Sequence, residues 1–208
     1  MNEFLTLLRA ATPAQVFNPW RMRDASTDLF ADAPARRLQR LREHLATPAR
    51  YVLIGEAAGY QGCKVSGLAF TSERLLLEGS IPRVAPLPGR LTSRARPWSE
   101  PSATTVWKTL HALGMAEHTV LWNAYPWHPH KPEQLHSNRT PTRGERIAGV
   151  PVLESFLRLF PRAHVFAVGR NAEAALAELA LAARPLRHPS MGGAAEFARQ
   201  LRAAIRRD

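Results

Sequence analysis

Short apolar runs alternate along the chain with stretches whose apolar positions recur at three and four. Residues 51–54 (Tyr-Val-Leu-Ile) and 119–122 (Thr-Val-Leu-Trp) are too short for helices and rich in β-formers, so they predict buried strands. A third strand is predicted over 164–168, ending at Gly169, and a short fourth over 185–187. Between them, Leu38, Leu41 and Leu45 form one stripe of a helix over 33–45, with arginines on the other face, which reads as a surface helix. Thr71-Ser72-Glu73 caps a short helix that stops at Gly79, and Ser102 caps another that runs to about residue 113 before Gly114. Thr142 and Glu145, three apart, make a capping box for a helix carrying Ile147, Val150, Leu153, Phe156 and Phe160, which Pro151 should kink or split. Helices are also predicted over 172–181 and 194–207. The latter sets Phe197, Leu201 and Ile205 against Arg199, Arg202 and Arg206. Residues 2–10 suffice for a turn or two of amphipathic helix.

Strands alternating with helices imply a parallel sheet covered on both faces. The expected fold is α/β, a three-layer α/β/α sandwich around a central four-stranded parallel sheet, with residues 1–208 forming a single domain. Two stretches, 81–101 and 124–141, lack periodicity. The first holds five prolines and Arg83, Arg90, Arg94 and Arg96, and reads as an excursion or flap from the domain. Three strand ends should meet at one edge of the sheet, carrying Gly55-Glu56, Asn123 and His188. Gly59, Gly62 and Gly67 come after the first of them, where open α/β sheets hold ligands.

Charge changes the picture next. Lys and Arg total 28 and Asp and Glu 17, a net +11, which favours a polyanionic partner, nucleic acid first. No run approaches the ~18 apolar residues of a membrane span, and the N-terminus has no basic leader region, so a cytoplasmic protein is expected. The single cysteine, Cys63, excludes a disulfide framework and any four-cysteine metal site. His128 and His130 are two potential ligands without a third and read as loop structure or phosphate contacts.

The converging residue types suit recognition and release of a nucleobase. An Asn amide can accept from uracil N3–H and donate to O4 at once, and cytosine reverses both partners. A His donor aimed at O2 would stabilise the charge that develops as a glycosidic bond breaks, and an aromatic ring would stack beneath the base. Taken singly, each residue has a structural role open to it: His188 as a satisfied histidine, Asn123 as a strand-end turn, Glu56 as a cap, Phe70 as core.

Four motifs in order carry a resemblance. Gly55-Glu56-Ala57-Ala58-Gly59 resembles motif 1 of the uracil-DNA glycosylase superfamily, particularly the GEAPG form of its bacterial iron–sulfur branch. Asn123 in LWNAYPWHP matches the base-reading Asn, Asn138-Arg139-Thr140-Pro141 with Glu145 resembles NRxPxxxE, and His188-Pro189-Ser190 matches motif 3. The resemblance implies base flipping, stacking on Phe70, edge reading by Asn123 and donation to O2 by His188. Backbone groups near Glu56 and Ala57 would hold the base, and Glu56 would orient water. It further implies DNA contacts from Ser102, Thr104, Arg139 and Ser190, with Met191 as a wedge. The chain departs from the superfamily's patterns in four ways, the first being Ala58 where motif 1 usually has Pro. Ala57 stands where several branches carry a water-activating Asp or Asn. Gly59 stands where the most uracil-selective branch has a Tyr that excludes the thymine methyl. The cluster cysteines are missing, so loops 81–101 and 124–141 must be fixed by packing. The expected protein is a monomeric, nucleoid-associated enzyme acting on uracil-containing or abasic DNA, with no cofactor, metal or membrane. The rival, favoured by Ala57, is a catalytically inert binder of damaged or abasic DNA.

Overall fold

A computed structural model describes residues 1–206. In chain order the elements are α1 (Asn2–Leu8), β1 (Val16–Phe17), α2 (Ala33–Leu45), β2 (Tyr51–Ala57), α3 (Cys63–Ser66), α4 (Glu73–Leu77) and α5 (Pro101–Ala112). After a 3-10 turn at Ala116–His118 come β3 (Thr119–Tyr125), β4 (His128–Pro129), α6 (Arg143–Leu157), β5 (His164–Val168), α7 (Arg170–Glu178), β6 (Arg184–Leu186) and α8 (Ala194–Ile205). The helix end expected at Arg207 lies outside the described residues.

β2, β3, β5 and β6 form the four-stranded parallel sheet in the order β3-β2-β5-β6. All four strands therefore end on the same side. α6 and α7 cover the face towards which Glu56 and Ala124 point. α5 lies on the other face and meets α2 through Trp107 and His44. α8 packs against α5 and β6. Trp122 on β3 stacks on Phe156 of α6 at 4.8 Å and meets Phe4 of α1 edge-on at 5.2 Å, which builds the core on the α6 side. On β3, the Leu121 N–H donates to His44 Nε2 at 3.0 Å. His44 is fully buried, and burial, with the nearby Arg83, pushes its pKa down to about 3, so it is held as a neutral acceptor.

Several sequence expectations need correction. β2 and β3 each run three residues past the apolar runs, so Gly55, Glu56 and Asn123 sit within strands rather than after them. The arginines of α2 are divided: Arg36 and Arg42 are exposed, as expected of a surface helix, but the other two are not. Arg37 and Arg40 are buried, Arg37 paired with Asp28 and donating to the carbonyls of Val65, Pro19 and Met22, and Arg40 donating to Ser66. α6 passes through Pro151 uninterrupted; the carbonyl that its missing N–H would have met belongs to Ile147, on an exposed face. Glu100, not Ser102, is the N-cap of α5, with Pro101 as the first helical residue. The 124–141 stretch contains β4, which pairs antiparallel with β1 in a two-residue ribbon. The Thr142–Glu145 capping box is present in full.

Loops 81–101 and 124–141 are fixed by hydrogen bonds as much as by packing. The buried Glu73 carboxylate accepts from Arg90 Nε (2.9 Å), the backbone N–H groups of Leu91 (2.8 Å), Thr92 (3.1 Å) and Trp98 (3.0 Å), and Thr92 Oγ1 (2.8 Å). His128 is buried between the carbonyls of Ala58 and Leu135, which makes it a loop strut rather than a phosphate contact.

Candidate active site

A cavity of about 740 Å³ opens at the carboxyl ends of the strands. Its walls include Glu56, Ala57, Gly59, Phe70, Ser102, Asn123, Arg139, His188, Ser190 and Met191, so three strand ends and their adjoining loops do converge. Gly55 pairs in register with Asn123 on the neighbouring strand, and alternation puts both on one face of the sheet. A Cβ at Gly55 would lie 2.7 Å from the Phe70 ring and 2.8 Å from Asn123 Oδ1. The ring and the amide therefore flank the same point, and only glycine leaves room for them. Phe70 itself takes a left-handed backbone conformation, φ +47°, which is costly for an aromatic residue and aims the ring into the cavity. Phe70 and Asn123 are both buried.

His188 faces Phe70 with ring centroids 6.2 Å apart. The Ser190 backbone N–H donates to His188 Nδ1 at 3.1 Å, and the Ser190 hydroxyl lies 2.7 Å from the same nitrogen. A nitrogen that accepts carries no proton, so in the neutral ring the hydrogen is on Nε2, free to donate. Burial, helped by Arg187, lowers the His188 pKa, while Glu56 pulls it the other way. The result is a neutral imidazole presenting one N–H.

Glu56 stands on the opposite face of β2 from Asn123 and reaches the rim where this cavity meets two others, one between α6 and α7 and one beyond His188. Its Oε1 is buried and finds no hydrogen-bond partner among the described residues. A buried, unpartnered carboxylate oxygen beside an opening is suited to holding water.

Three of the residues expected at DNA are engaged inside the protein. Thr104 does not line the cavity; its hydroxyl accepts from Arg74 Nη2 at 2.7 Å and donates to the Glu100 carbonyl, whereas Thr105 does line it. Arg139 grips Glu145 through both terminal nitrogens (2.7 and 2.6 Å) and donates to the carbonyls of His130, Thr140 and Gln15. Its fork is used up in tying the loop to α6. Ser190 directs its polar groups at His188, as a positioning residue. Met191 is 93% exposed, at φ +49°, on the lip of the cavity, and Ser102 lines the wall.

The sequence reading missed Glu100, Gln61, Asn138 and Thr105 in the cavity. Asn138 Oδ1 accepts from the Tyr60 N–H at 3.1 Å and so shapes the loop after β2. The Glu-Pro-Ser order at 100–102 was a usable signal, because Pro at the first helical position makes the residue before it the cap. Cys63 lines the cavity but is buried, and burial with nearby Glu100 pushes its thiol up, so it stays protonated.

At its strand ends the open α/β sheet thus carries an aromatic, an amide, an imidazole and a carboxylate, a set suited to binding a base and hydrolysing its bond. The family model of the uracil DNA glycosylase superfamily matches residues 42–206, and the chain belongs to that superfamily of DNA glycosylases. Among solved structures, the SMUG2 of Pedobacter heparinus is similar, with a TM-score of 0.65 and 16% identity over 99% of this chain and 96% of that one. At that identity the likeness concerns the fold. No curated protein matches the sequence.

Proposed function

We propose that this chain is a monofunctional glycosylase that removes uracil, or a closely related deaminated base, from DNA. The base would flip into the cavity, stack on Phe70 and present its edge to Asn123, whose amide accepts from N3–H and donates to O4. His188 Nε2–H donates to O2 as the C1′–N1 bond breaks and its electron pair moves onto the base. Water held by Glu56 adds its oxygen to C1′ and gives up a proton, with no covalent intermediate on the protein. Ala57 is thereby bypassed, because the carboxylate comes from the neighbouring position. Met191, exposed beside the opening, would fill the gap left in the duplex. The observation that carries this reading is the close approach of the Phe70 ring and Asn123 Oδ1 across Gly55, with His188 opposite.

A fluorescent oligonucleotide with one uracil, single- and double-stranded, tests it. Alkali-labile abasic sites are expected from both. No cleavage of either, combined with tight binding to abasic DNA, would establish the inert-binder alternative that Ala57 favours.

A further inference from the structure

On the face of the sheet away from Asn123, α6 and α7 pack on the strands more than on each other, and a cavity of about 540 Å³ remains between them. Its walls are largely aliphatic, built from Ile147, Val150 and Leu153 of α6, Ala175 and Leu179 of α7, and Ala124 of β3. Ile147 is 60% exposed, so that wall continues to the surface. Arg146 and Glu178, 3.4 Å apart, tie the two helices across the rim. Helices packed side by side would have closed such a space.

Two buried polar atoms of residues in these walls have no partner among the described residues. They are the hydroxyl of Tyr125, a residue only 1% exposed, and Oε1 of Glu56. They come from neighbouring strands, since Tyr125 stands in register with Ala57, the residue after Glu56. Burial, with Glu145 nearby, pushes the Tyr125 pKa up, so the phenol keeps its proton and can donate. A carboxylate can only accept. A donor and an acceptor left unpaired in aliphatic surroundings are costly, and a ligand that satisfies both must carry the two complementary groups on an aliphatic body.

We propose that this cavity is a second binding site, for a small aliphatic secondary amide. The amide C=O would accept from Tyr125, its N–H would donate to Glu56 Oε1, and its chain would lie between α6 and α7. A nucleobase offers a similar edge, but its faces want aromatic partners, and Tyr125 is the one aromatic side chain in these walls among the described residues. Glu56 also forms part of the wall of the base-binding cavity. An amide bound behind it takes the oxygen that the proposed reaction gives to water, so occupancy of the second site slows base release. That inhibition rests on the proposed function; the site itself does not.

Calorimetric titration of the full chain with N-hexylacetamide and hexyl acetate tests the site, in wild type, Tyr125→Phe and Ala175→Phe, with thermal melts to confirm folding. The ester keeps the chain and the carbonyl but has no N–H, and should bind about tenfold more weakly. Tyr125→Phe should weaken both by about fivefold. Shortening the amide chain should cost roughly fourfold for each methylene, and Ala175→Phe, which fills the cavity, should abolish binding. No binding of the amide, equal affinity for amide and ester, or an affinity indifferent to Ala175→Phe overturns the site. Uracil binding that vanishes in Ala175→Phe would make the cavity a nucleobase site and overturn the amide assignment. In single-turnover uracil release, saturating N-hexylacetamide should slow the wild type at unchanged DNA affinity and leave Ala175→Phe unaffected. Undiminished release by the amide-bound wild type overturns the inhibition alone. If the wild type releases no uracil even without the amide, the glycosylase reading and the inhibition fall together, while the titrations still decide the site.

Discussion

Adding one methyl group at position 55 tests the base slot more sharply than deleting any of its walls. In Gly55→Ala the new Cβ would sit 2.7 Å from Phe70 Cζ, 2.8 Å from Phe70 Cε2 and 2.8 Å from Asn123 Oδ1, against an ordinary contact of at least 3.4 Å. Ring and amide must each retreat by roughly 0.6–0.7 Å, so the stacking surface and the edge reader are displaced together. A displacement approaching 1 Å in a positioning group costs on the order of a hundredfold, and a loss of ten- to hundredfold in kcat/KM is expected, or about 1.4–2.7 kcal/mol. Overpacking should cost a further ~1–3 kcal/mol of stability. Single-turnover uracil release separates the two effects, provided the variant is assayed well below its melting temperature. Gly144→Ala is the matched control, because a Cβ there meets nothing within 4 Å. Wild-type kcat/KM in Gly55→Ala would mean that the substrate does not lie between Phe70 and Asn123, and the proposed geometry would be wrong.

The same side chains carry further expectations. Asn123→Asp should reduce uracil release by about a hundredfold, since a carboxylate cannot donate to O4; equal loss on uracil and hypoxanthine oligonucleotides would count against edge reading. His188→Ala should cost roughly 10²–10³ in kcat. With its pKa lowered by burial, His188 stays neutral as pH falls to the ordinary histidine value, so the acid limb of the wild-type pH–rate profile should begin below about 6.5. His44 acts on stability instead. Its pKa is about 3 folded and about 6.5 unfolded, so its contribution is complete above pH 6.5 and is lost as pH falls towards 3, at most ~5 kcal/mol. Denaturant melts of His44→Gln should show a flatter acid dependence than wild type, and parallel curves would refute the assignment.

Much of this site could be read from the sequence because strand ends have strong local signals. The runs at 51–54, 119–122 and 164–168 locate three parallel strands, and the residues just after each strand must lie at one edge. The departures have physical causes. Arg37 and Arg40 repeat at helical spacing like a solvent face, but the carbonyls of residues 19, 22, 65 and 66 and the carboxylate of Asp28 come from distant segments that no local pattern reveals. Ser102 reads as the cap of α5, which would set Thr104 at the exposed start of the helix. With Glu100 as the cap it lies a full turn inside, where its N–H and hydroxyl donate to the Glu100 carbonyl and the hydroxyl accepts from Arg74. Arg139 looked free to meet a phosphate because its five donors find their partners on both sides of the chain, at Gln15, His130, Thr140 and Glu145.

Those partners reveal how the cavity is held open. Each irregular segment around it is gathered on a buried or half-buried carboxylate. Glu73 holds the 90–98 stretch. Asp24 binds Lys64 Nζ at 2.6 Å, His136 Nε2 at 3.0 Å and the hydroxyls of Ser26 and Thr27. Glu145 holds Arg139 and the start of α6. For Asp24 and Glu73, burial by itself would raise the pKa, but the converging donors outweigh it and keep both below the usual carboxylate range. Such buried charges add little net stability over apolar packing of the same volume. They do fix direction, because a carboxylate with four or five donors tolerates one arrangement of the backbones that supply them.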